Sequence, residues 1–386
     1  MRSFQHLETA LRLFHGANAL GALPVEIDRL KCSRAVVICG RSVAAQGGGL
    51  ERIRDALGTR CAGVFDGVRR HSPVDTVEAA AALLQALNAD AVVAAGGGSA
   101  IVTAHAAAII AAEGKPAQEL CTQRQPDGSF SSPKLLAPKL PQFVIPTTPT
   151  TAAVKAGSAV FDSTSGRRLA MFDPKTRAQA VFIDPSLTGP APVDLFITAS
   201  LNTLAMAVEG LESASGDALS DGMLMQALRL LRHALPGLRE DPGNESSRSE
   251  LMLAAVLCGR GTDFAGGGVA SVLGHALGAR CHIDNGLANA ILLPHTMRFN
   301  AQATATRAGN IAEALGAHAP ATADSVAQVS LLLDRIGIPR RLRDAGVARE
   351  ALDAAAAVAM GDWFLGRNPR QIESAGDLTD LLLSAW

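Results

Sequence analysis

Tyrosine is absent from this 386-residue chain, and aromatic residues of all kinds make up only 4% of it. That absence removes every mechanism needing a tyrosine acid, the Tyr–Lys chemistry of short-chain reductases included. An excess of one charge is missing too. The 35 basic residues stand against 36 acidic ones, for a formal charge of −1, so a nucleic-acid or anionic-membrane surface is not expected. Cysteine is sparse: Cys32, Cys39, Cys61, Cys121, Cys258 and Cys281 include no C-x-x-C pair. No disulfide framework is expected in so long a chain, and a reducing cytoplasm is the simplest setting. The start, Met1-Arg2-Ser3-Phe4-Gln5-His6-Leu7-Glu8, lacks the apolar run of a signal peptide.

What is present is apolar material, 48% of residues against 18% charged. That is enough for a sizeable core, and at roughly 150 residues per domain the length points to two domains. Ala91 to Ala112 carries no Asp, Glu, Lys or Arg, but Gly96-Gly97-Gly98-Ser99 and His105 interrupt it. It reads as a buried strand, turn and helix rather than a membrane span. Further buried strands are expected at Ala35–Cys39, Gly63–Phe65 and Phe143–Ile145, with helices at Leu50–Leu57 and Thr76–Leu87. Strand and helix in alternation, with near-continuous apolar strands, imply a parallel sheet covered on both faces. Gln123 to Pro141, rich in Pro, Ser, Gly and Lys, reads as a surface loop or β-excursion. After Gly189-Pro190-Ala191-Pro192 helical periodicity takes over. The expectation is an α/β dinucleotide-binding domain over 1–188 and an all-helical substrate domain over 189–386.

Gly96-Gly97-Gly98-Ser99 follows a strand and opens a helix. Glycines let a backbone approach phosphate closely, and a helix N-terminus offers free N–H donors and a favourable dipole. A second polar turn, Thr147-Thr148-Pro149-Thr150-Thr151, follows another predicted parallel strand at the edge where open α/β folds bind nucleotides. Gly96, Gly97, Gly98, Ser99, Thr147, Thr148 and Thr151 are therefore the predicted cofactor residues. Cys39-Gly40-Arg41-Ser42 ends the first strand without a ribose-binding acid, and Arg41 and Ser42 suit a 2′-phosphate instead. NADP or NAD is the expected cofactor.

With these elements placed, the chain resembles the group III, iron-containing alcohol dehydrogenase family almost end to end. The glycine turn is similar to its G-G-G-S-x-x-D-x-A-K pattern, Pro146-Thr147-Thr148 to its I-P-T-T turn, and Asp184-Pro185-Ser186-Leu187-Thr188 to its D-P-x-L-T boundary. Asn285-Gly286-Leu287-Ala288-Asn289-Ala290-Ile291-Leu292-Leu293-Pro294-His295 is close to H-G-x-A-N-A-I-L-L-P-H. The resemblance implies a Rossmann-like first domain, a helical second domain in a dehydroquinate synthase-like architecture, hydride chemistry in the cleft between them, and a homodimer. Ala62-Gly63-Val64-Phe65-Asp66, His71-Ser72-Pro73-Val74 and Ala207-Val208-Glu209 resemble the maleylacetate reductase branch. Asn368-Pro369-Arg370 is similar to an N-P-R of both branches.

The departures concern the chemistry. By the resemblance, the family's metal ligands fall on Asn202, Met206, Ser271 and Asn285. Neutral amide, thioether and hydroxyl groups make a poor Fe²⁺ or Zn²⁺ site, so no catalytic metal is expected. The cofactor motif's Asp and Lys fall on Val102 and His105, and Pro149 removes a backbone donor from the second turn. His275 matches the histidine beside the family's metal. An imidazolium polarises a carbonyl and delivers a proton, and an ordinary histidine titrates near working pH. His275, His282 (with Asp284 to orient it) and Asn202 are the predicted catalytic residues. Asn285, Lys155 and Arg280 are the predicted substrate contacts, and Lys155, Arg168 and Arg280 are candidate carboxylate anchors, since a substrate acid needs a fixed cation. His105, His295 and Met206 read as structural. The expected function is a metal-independent NAD(P)H-dependent oxidoreductase acting on an activated carbonyl or 4-oxo-alkenoate. The alternative is a catalytically degenerate cofactor-binding relative with a regulatory or assembly role. A non-redox reaction on a bound nucleotide ranks last.

Overall fold

A computed structural model describes residues 4–45, 47, 49–125, 129–319 and 324–386. Met1-Arg2-Ser3 of the start, and Pro126-Asp127-Gly128 of the Pro-rich excursion, lie outside the described residues. The chain divides into two compact units, Glu8–Ala191 and Pro192–Trp386, the second joined by the N-terminal residues up to Leu7.

In the first unit the strands run β1 (Arg12–His15), β2 (Ala35–Gly40), β3 (Cys61–Val68), β4 (Ala91–Gly96), the two-residue pair β5 (Gln123–Arg124) and β6 (Phe130–Ser131), β7 (Gln142–Pro146), β8 (Gly157–Asp162), β9 (Arg167–Phe172) and β10 (Ala178–Ile183). The helices are α1 (Leu23–Arg29), α2 (Arg41–Ala44), α3 (Leu50–Leu57), α4 (Val74–Ala86), α5 (Gly98–Glu113), α6 (Ala117–Leu120) and α7 (Pro185–Thr188). Six strands form one sheet in the order β1-β10-β7-β4-β2-β3, and every pairing in it is parallel. Alternate residues serve opposite faces. Val37, Cys39, Val93, Ala95, Phe143, Ile145 and Phe182 pack with Leu23, Ile27, Ile53 and Leu57 of α1 and α3. On the other face α5 lies against β4 and β2 and beside α4. Phe143 and Phe182 are wholly buried, and truncating either to Ala would cost about 3–5 kcal/mol.

Among the strands of this unit, the edge strand β1, the antiparallel hairpin β8–β9 and β10 escape the sequence reading, as does helix α1. The apolar run Ala91–Ala112 divides into β4, the glycine turn and most of α5, and Ala100, Ile101, Ala104 and Ala106–Ile109 are buried. No helix among the described residues is long and apolar enough to cross a membrane. The Asp184-Pro185-Ser186-Leu187-Thr188 stretch is a structural joint. Its Asp184 carboxylate caps α7 through the Ser186 amide (3.0 Å) and also accepts the Leu20 amide (3.2 Å).

The second unit is all helix: α8 (Val193–Glu212), α9 (Ala218–Glu240), α10 (Glu245–Ala265), α11 (Val269–Cys281), α12 (Asn285–Thr304), α13 (Ala308–Ala314), α14 (Ser325–Arg335), α15 (Leu352–Ala359) and α16 (Ala375–Ala385). Between Ser200 and Glu212 every residue of α8 except Asn202 is buried, which makes α8 the core helix. It packs on α9, α10 and α12, while α11 packs on α12 and α15.

Candidate functional site

In the α/β unit, the sheet sets the place of the predicted cofactor residues. Chain order reverses around β2, which pairs with β3 on one side and β4 on the other. The carboxyl ends of β2 and β4 therefore form the switch point where open sheets bind nucleotides. Gly96 ends β4 with φ +141°, and a Cβ there would meet that of Ala100 at 2.9 Å. Gly96 also pairs with Pro146, and the Thr147 amide donates to its carbonyl at 3.0 Å. The two polar turns are thus adjacent. A Cβ on Gly97 would lie 3.0 Å from the Thr148 hydroxyl, and one on Gly98 would lie 3.2 Å from that of Thr150. Helix α5 begins here with no side-chain cap and no acidic residue in its first turn. Its first amides and dipole suit a phosphate.

The predicted cofactor residues differ in what holds them. The Ser99 hydroxyl accepts the His71 amide at 3.3 Å and its carbonyl accepts the Ser72 hydroxyl at 2.9 Å, so the loop before α4 is fastened to the glycine turn. Thr148 and Thr151 are buried and Thr147 half-buried. Thr150, which the sequence reading does not single out, faces Gly98 and caps the turn after it through the Ala152 amide (3.3 Å). Arg41 and Ser42 open the single-turn α2 at the end of β2, both exposed. Lys155 is half-buried just after the second turn. His105 lies wholly buried within α5, and burial holds its ring near a pKa of about 4, hence neutral.

In the helical unit, the conspicuous feature is a polar cluster on α8, α11 and α12. Gly286, second residue of α12, lies so close to α8 that a Cβ would collide with the Thr198 carbonyl. That approach carries the first turn of α12 to Asn202. The amides of Asn202 and Asn289 meet at 3.0 Å, and the buried Asn289 amide also lies 3.1 Å from the carbonyls of Ala270 and Asn285. The Asn202 amide nitrogen reaches the Met206 sulfur at 3.6 Å. Asn285 packs its side chain against Gly278, and its buried Oδ1 has no hydrogen-bond partner among the described residues.

Helix α11 supplies Ser271 and His275. Its N-terminus is filled from within: the Glu209 carboxylate on α8 accepts the Ser271 amide (2.9 Å) and hydroxyl (2.5 Å), together with the amides of Gly268 and Ala270. Burial pushes the Glu209 carboxyl above the ordinary glutamate range, and these donors oppose the shift. One turn on, burial raises Glu212 to a pKa of about 8, against a hydrogen bond from Asn300 and with Glu209 adding repulsion.

The segment between α15 and α16 straps this helix start. Asn368 accepts the Val269 amide (3.3 Å) and exchanges hydrogen bonds with Asn300 (2.9 and 3.1 Å). The Asn368-Pro369-Arg370 motif is therefore a clamp. Upstream in the same segment, Asp362 faces the His275 Nδ1 at 2.8 Å. Asp362 sits 87 residues from His275 and outside every motif quoted from the sequence, so nothing in the one-dimensional pattern marks it.

Other predicted residues fall elsewhere. His282 is exposed at the C-terminal cap of α11 in the left-handed conformation, φ 57°. Asp284 caps α12 through the Gly286 amide at 2.9 Å, which accounts for its place before the Asn285-Gly286 pair. Arg280 is exposed five residues past His275, on a different side of the helix. His295 bonds the Ser384 hydroxyl (3.0 Å). Burial, then the Arg298 and Arg341 charges, hold it near a pKa of about 4.

As a donor set for a divalent iron or zinc, the helical cluster does not fit. Such ions want carboxylate or imidazole ligands. Among the described residues no three His, Cys, Asp or Glu side chains converge, and His275 is the one imidazole on α11.

An α/β unit with glycine and threonine turns at the switch point of a parallel sheet, followed by a helical unit with a histidine–aspartate pair, is the architecture of a two-domain nucleotide-dependent oxidoreductase, and the relatives below are oxidoreductases. The family follows from sequence comparison. The description "Iron-containing alcohol dehydrogenase" matches residues 10–185, and "Fe-containing alcohol dehydrogenase family, C-terminal" matches 196–386. The chain belongs to the iron-containing alcohol dehydrogenase family. It is 30% identical over 381 residues to a lactaldehyde reductase of Escherichia coli K12, covering 96% of this chain and 97% of that one. It is 29% identical over 377 residues to maleylacetate reductase 1 of Cupriavidus pinatubonensis, covering 97% and 95%. A solved maleylacetate reductase from Agrobacterium tumefaciens superposes with a TM-score of 0.82 at 27% identity, covering 100% of this chain and 99% of that one. These relatives bear out the maleylacetate reductase-like character read from the sequence.

Proposed function

We propose that the protein is a metal-independent, NAD(P)H-dependent oxidoreductase that reduces an activated carbonyl, or the conjugated alkene of a 4-oxo-alkenoate, with His275 as proton donor. The observation that carries this reading is the His275–Asp362 pair, 2.8 Å apart, in a helical unit where no three His, Cys, Asp or Glu side chains converge among the described residues. The Gly97, Gly98 and Ser99 amides and the Thr147, Thr148 and Thr150 hydroxyls hold the cofactor phosphates. Arg41 and Ser42 favour the 2′-phosphate of NADPH. When bound, the cofactor supplies the hydride to the substrate carbon. Asn202 and Asn285 orient the substrate by hydrogen bonds, the buried Oδ1 of Asn285 taking a hydroxyl. Without a Lewis acid, an isolated aldehyde receives little help with its developing charge; a keto acid or conjugated ketone needs less.

The substrates named for the relatives supply the test. Chelator-dialysed protein is mixed with NADPH or NADH and with maleylacetate or lactaldehyde, and nicotinamide absorbance is followed. Turnover that survives chelation and fails in His275→Gln is expected. Turnover that vanishes on chelation and returns with iron or zinc overturns metal independence. Cofactor binding without turnover on any oxo acid or aldehyde favours the degenerate relative.

A further inference from the structure

The surroundings of His275 assign a part to Asp362. The Asp362 side chain reaches His275 with one carboxylate oxygen, Oδ2, at 2.8 Å, while the other, Oδ1, accepts the Phe364 amide at 2.9 Å. Both side chains are largely shielded from water, with 14% of His275 and 9% of Asp362 exposed. The carboxylate is fixed from both sides. Upstream, α15 packs on α11; downstream, Asn368 clamps the start of α11. Between them the Phe364 ring lies against Gly267, where a Cβ would come within 3.0 Å of it, and its centroid is 6.0 Å from that of His275.

We propose that Asp362 is a positioning residue that holds the proton of neutral His275 on Nδ1, so that Nε2 is the nitrogen that exchanges a proton with substrate. This rests on the reading of His275 as proton donor. An ionised carboxylate only accepts hydrogen bonds, so the imidazole must present N–H at Nδ1. In the reductive step the Nε2–H bond of the imidazolium breaks and its electron pair stays on the ring. An O–H bond forms on the substrate oxygen, while the substrate carbon takes the hydride already described. The imidazole left behind is neutral, carries its proton on Nδ1 toward Asp362, and regains the second from solvent. Second-sphere carboxylates act in this way on catalytic histidines generally, by fixing tautomer and ring orientation.

The geometry makes Asp362→Asn the decisive variant. The Phe364 amide keeps an oxygen at the Oδ1 position, so the new –NH₂ faces His275 and donates to Nδ1, forcing the proton onto Nε2. The measurement is a two-bond ¹H–¹⁵N spectrum of full-length, cofactor-free protein with labelled histidine, His275 being assigned by its loss in His275→Gln. Neutral His275 is expected as Nδ1–H in the intact protein and as Nε2–H in Asp362→Asn. The same variant should lower kcat roughly 10²–10⁴-fold with KM changed less than threefold, and Asp362→Glu should restore part of the rate. Neutral His275 carrying its proton on Nε2 in the unaltered protein overturns the proposal without any variant having to fold. Full turnover in His275→Gln would instead sink the proton-donor reading while leaving the tautomer result intact.

Discussion

Of the three glycine triplets in the sequence, the two that precede α5 and α11 differ in what faces them. Gly96-Gly97-Gly98 precedes α5, and Gly266-Gly267-Gly268 precedes α11. At the first, the nearest side-chain atoms to Gly97 and Gly98 are the hydroxyls of Thr148 and Thr150, and the helix start carries no cap and no acid. At the second, a Cβ on Gly267 would meet the Phe364 ring and one on Gly268 would meet the Glu209 carboxylate, each at 3.0 Å. Both helix starts attract an anion. One has an internal carboxylate and the other does not. A triplet before a helix is therefore no phosphate signature by itself; what decides is whether the fold supplies its own negative group.

Three measurements would break or sharpen that contrast. Removing the internal anion has the largest expected effect. Glu209→Ala leaves the amides of Gly268, Ala270 and Ser271 buried without their acceptor and should lower stability by about 3 kcal/mol or more. Cofactor affinity should stay within twofold; weakened cofactor binding at unchanged denaturation midpoint would reverse the assignment of the triplets. Next is Gly97→Val, which pushes side-chain bulk into the Thr148 turn. It should weaken NADPH and NADH about 100-fold, or about 2.7 kcal/mol, in a fluorescence titration, and wild-type affinity there would remove the first triplet from the cofactor site. The smallest effect is a pH slope. Glu212 is raised to a pKa of about 8, so the native state keeps a proton that the unfolded chain releases near the ordinary glutamate value. Stability should then fall as pH rises between those two values, by roughly 1 kcal/mol per pH unit. Glu212→Gln, neutral throughout, should gain on the parent protein across that window in thermal melts. Parallel melting curves for the two would show that Glu212 ionises normally.

Legibility from sequence followed the same division. Strands β2, β4 and β7 were readable because both faces are buried and the apolar run is unbroken. Edge strand β1 was not, since Arg12, Leu13 and His15 are exposed and only parallel pairing with β10 makes the segment a strand. The two turns proposed to hold the cofactor were named from glycine and threonine at strand ends. Thr150 was passed over within its own turn, because only the fold shows which hydroxyl faces Gly98. In the helical unit His275, Asn202 and Asn285 were named from their places in motifs; Asn289 and Glu209 stood in quoted motifs but gained a role only with the structure, and Asp362 entered with it. His282 and Arg280 lie near His275 in the chain, yet the end of α11 leaves both exposed.

The order of residues alone determined the parallel sheet, the change to helix near Pro192, the glycine turn and the neutral side chains of Asn202, Met206, Ser271 and Asn285. Those are local properties, set by side-chain size, polarity and spacing. Tertiary structure alone decided which helix start is neutralised by Glu209 and which nitrogen of His275 is bound to Asp362. Both depend on groups brought together across tens of residues, and an electrostatic or hydrogen-bonding partner is defined by distance in space, a quantity the linear chain does not carry.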